Sequence, residues 1–134
     1  MRKCSNMIFM LLAAATAMLV APSGQAQTVT IALKNGETSE LGALYSVSNC
    51  KSLLLSTPQA EVLDGPPGVS VTVKEAMVLP RAQKCASRIP GGILTVSAKD
   101  IQDQSYTALT VRVIYKTRDG ERQRSLVYNL SLFP

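Results

Sequence analysis

The chain has 134 residues, with 14 Lys and Arg against 9 Asp and Glu, no histidine, and a formal charge of +5. That length suits one small domain behind an export segment, and a surplus this mild gives no reason to expect a nucleic-acid partner. The lack of histidine excludes Ser-His-Asp and Cys-His catalysis, and with it the imidazole-rich copper and zinc sites of many exported β-proteins.

Arg2 and Lys3 precede an apolar run from Met7 to Ala21, and the small residues Gly24 and Ala26 stand third-last and last before a candidate cut. This is the pattern of a secretory signal peptide over residues 1–26, helical within its apolar run and cleaved after Ala26. The run of 15 residues is short of the roughly 20 that a spanning helix needs, so no membrane anchor is expected after cleavage. Cys4 lies before the run, whereas a lipid-modified cysteine would follow it at the cut. The alanine-rich run and short basic start have a bacterial character, which makes the destination the periplasm or the exterior. Removal of Arg2 and Lys3 would lower the charge from +5 to +3.

Residues 27–134 then form a single domain. The first strand is read over Thr28–Lys34, where Val29, Ile31 and Leu33 alternate with polar or small residues, and it closes at the turn signal Asn35-Gly36. Two roles are open for it: an ordinary sheet strand, or a donor strand inserted into a neighbouring subunit. Leu41, Ala43, Tyr45 and Val47 alternate in a second strand that ends near Ser48-Asn49. The triplet Leu53-Leu54-Leu55 reads as a buried strand or a helical turn, stopped by Pro58.

Ala60 to Leu63 reads as a short edge strand, and Asp64-Gly65-Pro66-Pro67-Gly68 as a rigid turn. Val69, Val71 and Val73 alternate in a strong strand that continues to Leu79 with a bulge before Pro80. Arg81 to Gly92 is the longest irregular stretch, and Leu94, Val96 and Ala98 mark the next strand. Lys99 to Ser105 is a polar connection with one helical turn at Lys99–Gln102.

The clearest stretch is the last. Leu109, Val111, Val113 and Tyr115 alternate with polar residues, and so do Leu126, Tyr128, Leu130 and Leu132. Asp119-Gly120 between them suits a two-residue type I′ turn. That turn would pair Val113 with Leu126, Val111 with Tyr128 and Leu109 with Leu130, and would set Arg124 opposite Tyr115. About seven or eight short strands with turn signals between them make an all-β, antiparallel sandwich. The pattern resembles an immunoglobulin-like domain. It departs from antibody domains in having no tryptophan and in cysteines that come too early, and Asp103-Gln104-Ser105-Tyr106 is only loosely like their tyrosine corner.

Cys50 and Cys85 remain after cleavage, and an even count in an exported chain favours a disulfide. Closing a loop of this length is worth roughly 3–4 kcal/mol in the chain-entropy treatment. Two cysteines and no histidine are too few for a metal site, and no phosphate loop appears: Pro90-Gly91-Gly92 precedes a strand. No cofactor is expected. The acidic pairs Glu61 with Asp64 and Asp100 with Asp103 sit beside turns, where carboxylates solvate and cap, so no catalytic role is expected of them. Asn129-Leu130-Ser131 matches a glycosylation sequon but lies within a strand.

The candidate binding residues are basic. Arg81, Lys84 and Arg88 flank Cys85 on a loop that the disulfide would hold, and Arg112, Lys116 and Arg122 would make an outward band on the last hairpin. Such cations either solvate a surface or dock an acidic partner. The expectation is a monomeric, non-catalytic binding or structural module of the envelope that meets an acidic envelope component or another protein. A subunit of a surface polymer and a secreted enzyme inhibitor are the alternatives.

Overall fold

The computed structural model describes residues 29–134; the signal segment, and Thr28 at the start of the first expected strand, lie outside them. Nine strands form among the described residues: β1 (Thr30–Lys34), β2 (Thr38–Leu44), β3 (Val47–Ser48), β4 (Lys51–Ser52), β5 (Gln59–Asp64), β6 (Val69–Val78), β7 (Ile89–Ala98), β8 (Ser105–Thr117) and β9 (Gly120–Phe133). One four-stranded sheet has the order β1-β9-β8-β5, a three-stranded sheet has the order β2-β7-β6, and β3 and β4 make a two-residue ribbon. All pairings are antiparallel except that of β1 with β9, which is parallel.

The two large sheets share one core, to which β1, β2, β7, β8 and β9 contribute. Leu94 and Val96 of β7 meet Leu109, Val111 and Val113 of β8 and Leu130 and Leu132 of β9, all of them 0–1% exposed. Their period-two spacing makes this possible, since alternate residues of a strand point to one face. Each such side chain is worth about 1.5–3 kcal/mol of burial.

The long hairpin differs from its sequence expectation in register. Thr117 pairs with Gly120, so Arg118 and Asp119 are the turn, and Leu109 faces Tyr128, Val111 faces Leu126 and Val113 faces Arg124. The shift is two residues, which returns every side chain to the same face, so apolar alternation cannot distinguish the two registers. Turn chemistry decides between them. Neither Arg118 nor Asp119 has a positive φ, as type I′ requires; Gly120 alone does, at 112°. The Thr117 hydroxyl accepts from the Asp119 N–H at 3.2 Å and donates to the Gly120 carbonyl at 2.7 Å.

Three further expectations change. First, β7 begins at Ile89, so Pro90-Gly91-Gly92 lies inside a strand rather than a loop. Pro90 is tolerated because β2 reaches only to Gly92, leaving β6 as its one ladder neighbour. Gly91 and Gly92 are there for close packing: a Cβ on Gly91 would lie 2.5 Å from the Leu44 carbonyl oxygen, and one on Gly92 would lie 2.5 Å from Val73 Cγ1.

Second, Lys99–Gln102 forms no helical turn. Asp100 takes φ 58°, and Ile101 turns into the core with its N–H donated to Asn35 Oδ1 at 3.2 Å. Third, β6 pairs with β7 from Val69 to Val78 without a break, and the bulges fall instead in β2, between Glu40 and Gly42, and in β5, between Val62 and Asp64. The triplet Leu53–Leu55 is neither a full strand nor a helical turn; Leu54 makes a single bridge to Thr117, beside the last hairpin's turn.

Candidate functional site

The cysteines are joined, Cys50 to Cys85, with Cα atoms 5.5 Å apart. Cys50 sits in the tight β3–β4 turn, where Asn49 and Cys50 take φ of 50° and 60°. Cys85 follows a single 3-10 turn, Arg81–Gln83, whose end is Lys84 in the left-handed region at φ 52°. The Cys50 N–H also donates to Gln83 Oε1 at 3.3 Å. The segment from Arg81 to Arg88 is thus tied to the β3–β4 ribbon by a covalent bond and a hydrogen bond. A disulfide of this kind is more typical of extracellular and periplasmic proteins.

Beside this loop lies an open groove of about 500 Å³, lined by Ala43, Tyr45, Val78 and Ile93 with Arg81 and Arg88. It is on the outer face of the three-stranded sheet: Leu94 and Val96 point into the core, so Ile93 between the core-facing positions points away. Met77 and Leu79 add exposed apolar surface beside it, at 53% and 43%. Two guanidinium groups thus flank an apolar floor that carries one phenol. Such a groove offers guanidinium donors and positive charge to an anion with an apolar body. Lys84, the third cation expected here, does not line it.

The expected band of Arg112, Lys116 and Arg122 does not form. Arg112 makes an ion pair with Glu61 at 3.1 Å, both groups partly exposed, and Lys116 faces Glu121 across the hairpin. Arg122 faces Tyr115 and has the parity of Leu126 and Tyr128, so it lies on the other side of the sheet from Arg112 and Lys116. Arg124, opposite Val113 rather than Tyr115, shares that side. The period-two rule applied to Arg122, Arg124, Leu126 and Tyr128 together already carried this grouping.

Arg122 and Arg124 line a cleft of about 300 Å³ with Tyr45 and Tyr115, where β2 and β9 form one open side of the sandwich. It adjoins a second hollow of about 420 Å³ floored by Leu94, Leu126 and Tyr128. Burial pushes the phenols of Tyr115 and Tyr128 above their ordinary range, and the Arg124 charge partly counters this in both. Among the described residues, no three His, Cys, Asp or Glu side chains cluster as metal ligands would. No protein-family model, curated protein or solved structure is significantly similar to this chain.

Proposed function

We propose that this is an exported, non-catalytic binding module of the bacterial envelope, and that it holds an acidic partner in the groove between Arg81 and Arg88. The observation that carries the reading is the groove itself: two guanidinium groups beside an apolar floor, on a loop tied down by Cys50–Cys85. A loop already held in place loses less freedom on binding, which lowers the cost of recognition. The groove's polar side chains are two guanidinium groups and one phenol, a set suited to holding an anion.

An immunoglobulin-like arrangement is part of the proposal. It is supported by the β1-β9-β8-β5 sheet facing β2-β7-β6, with a parallel first strand against the last. The place of β1 within its own sheet supports a self-contained monomeric module over a polymer subunit that donates its first strand. A signal peptide over residues 1–26 and a periplasmic or secreted location complete the reading, favoured by the disulfide.

The test is capture from envelope extract. Arg81→Glu with Arg88→Glu should abolish recovery of the partner while the melting temperature stays within a few degrees, because both side chains are exposed. Capture should also weaken as salt rises, since exposed charges are screened over about 8–10 Å at physiological ionic strength. Capture indifferent to both would remove the groove as the site.

A further inference from the structure

β1 covers only part of its neighbour. It pairs with β9 from Asn129 to Phe133, while β9 begins at Gly120. The Asn129 N–H donates to the Val29 carbonyl at 3.4 Å and the Asn35 N–H donates to the Phe133 carbonyl at 2.8 Å, so the odd-numbered residues of β9 turn their backbone groups toward β1. The β8–β9 register runs from Thr117–Gly120 to Ser105–Leu132 without a shift. Gln123, Ser125 and Val127 therefore aim their N–H and C=O groups along the same edge, where no strand neighbours them among the described residues.

We propose that this open half of β9 accepts an extended segment of another protein as an added strand, one that alternates carboxylates with large apolar side chains. Edge pairing supplies main-chain hydrogen bonds, and the side chains that alternate on one face supply specificity. On the core-facing side, Arg122 and Arg124 come first along β9, followed by Leu126 and Tyr128. The clefts of about 300 and 420 Å³ beside them give such side chains room. An incoming strand would set its carboxylates beside the two arginines and its apolar groups beside Leu126, Tyr128 and Tyr45.

Charge chooses this occupant. Inward-pointing charges on an exposed edge normally deter edge-to-edge association. A second copy pairing through the same edge would bring together four guanidinium groups, whereas an acidic strand would neutralise two. The arginines thus discriminate between partners by repulsion as well as attraction. The site has its own pair of arginines but shares Tyr45 with the groove of Arg81 and Arg88.

The probe is a capped eight-residue peptide in which threonine alternates with two glutamates and then two leucines, with a control carrying lysines for the glutamates. The full chain is expressed with export and used as the cell processes it, and amide hydrogen exchange is read residue by residue. The glutamate peptide should slow exchange at Gln123, Ser125 and Val127 at least tenfold, and the lysine peptide should not. Ser125→Pro removes one outward N–H without touching the β8 ladder and should abolish the protection. Arg124→Glu should exchange the preference, binding the lysine peptide and losing the glutamate one, which keeps the test valid if the proline variant fails to fold. Three results would overturn the proposal: no protection by the glutamate peptide, protection indifferent to Arg124→Glu, or amides already slow in the free monomer, which would mean that the edge is covered by the chain itself. Concentration-dependent protection without peptide would assign the edge to a second copy, and would overturn it as well.

Discussion

Thr117 and Gly120 close the longest hairpin through a single hydroxyl: Thr117 Oγ1 donates to the Gly120 carbonyl at 2.7 Å and accepts from the Asp119 N–H at 3.2 Å. Thr117 is 4% exposed, a buried polar side chain whose two bonds are both spent on the turn. Thr117→Val keeps its shape and strands both turn groups, so it should cost about 1–3 kcal/mol. Thr117→Ser should keep most of that stability. Urea denaturation of the three proteins reads the difference, and equal midpoints for valine and serine would refute the role given to the hydroxyl.

Gly91 should resist even the smallest side chain. In Gly91→Ala the new Cβ meets the Leu44 carbonyl oxygen at 2.5 Å and Val78 Cγ2 at 2.7 Å. Overpacking of this kind costs about 1–3 kcal/mol. Adding Val78→Ala should not restore stability, because the backbone oxygen of Leu44 remains in the way. A double variant as stable as the parent would show that only the valine mattered.

The disulfide is expected to carry much of the domain's margin. Cys50→Ser with Cys85→Ser reopens a 35-residue separation, a loss of roughly 3–4 kcal/mol. Since small domains are stable by only about 5–15 kcal/mol, this change should move the denaturation midpoint far. Unfolded, unreduced processed protein should show no free thiol, and two free thiols would contradict the bond.

Alkaline pH should loosen the open side of the sandwich first. Tyr115 and Tyr128 have phenol pKa values raised above 10.0, chiefly by burial. The folded state therefore holds these protons more tightly than the unfolded chain does. Their contribution is complete below the unfolded value near 10 and disappears as pH rises through the raised folded values. Tyr115→Phe with Tyr128→Phe should flatten the loss of stability above that pH. Arg124→Gln should raise both phenol pKa values further, because the guanidinium favours the phenolate; absorbance titration of the phenolates would show the direction.

Sequence alone made the sandwich legible where burial imposes a period. Val69 to Val73, Leu94 to Ala98 and Leu109 to Val113 each display alternation, and each is a strand. It was blind where two answers share a parity, as in the register of β8 on β9, since a shift of two leaves every face unchanged. Glycine and proline misled at Pro90-Gly91-Gly92, because a glycine demanded by a neighbour's carbonyl looks the same in sequence as a glycine demanded by a turn. Arg81 and Arg88 stand out in sequence because they crowd around Cys85, while setting Arg122 in a band with Arg112 and Lys116 overlooks its parity, which is that of Arg124, Leu126 and Tyr128 in either register. Arg112 looked free only because Glu61, its partner, is 51 residues away.

The parallel pairing of β1 with β9 joins the two ends of the described chain, with Thr30 beside Asn129. A chain synthesised from its first residue therefore presents β1 long before the strand that must receive it. Leu33, 1% exposed in the finished sheet, stays bare through that interval. Long-range pairing of this kind is slow, since the closure entropy of nearly the whole domain is spent before any contact repays it. The four-stranded sheet is complete at its β1 edge only when the last strand has joined.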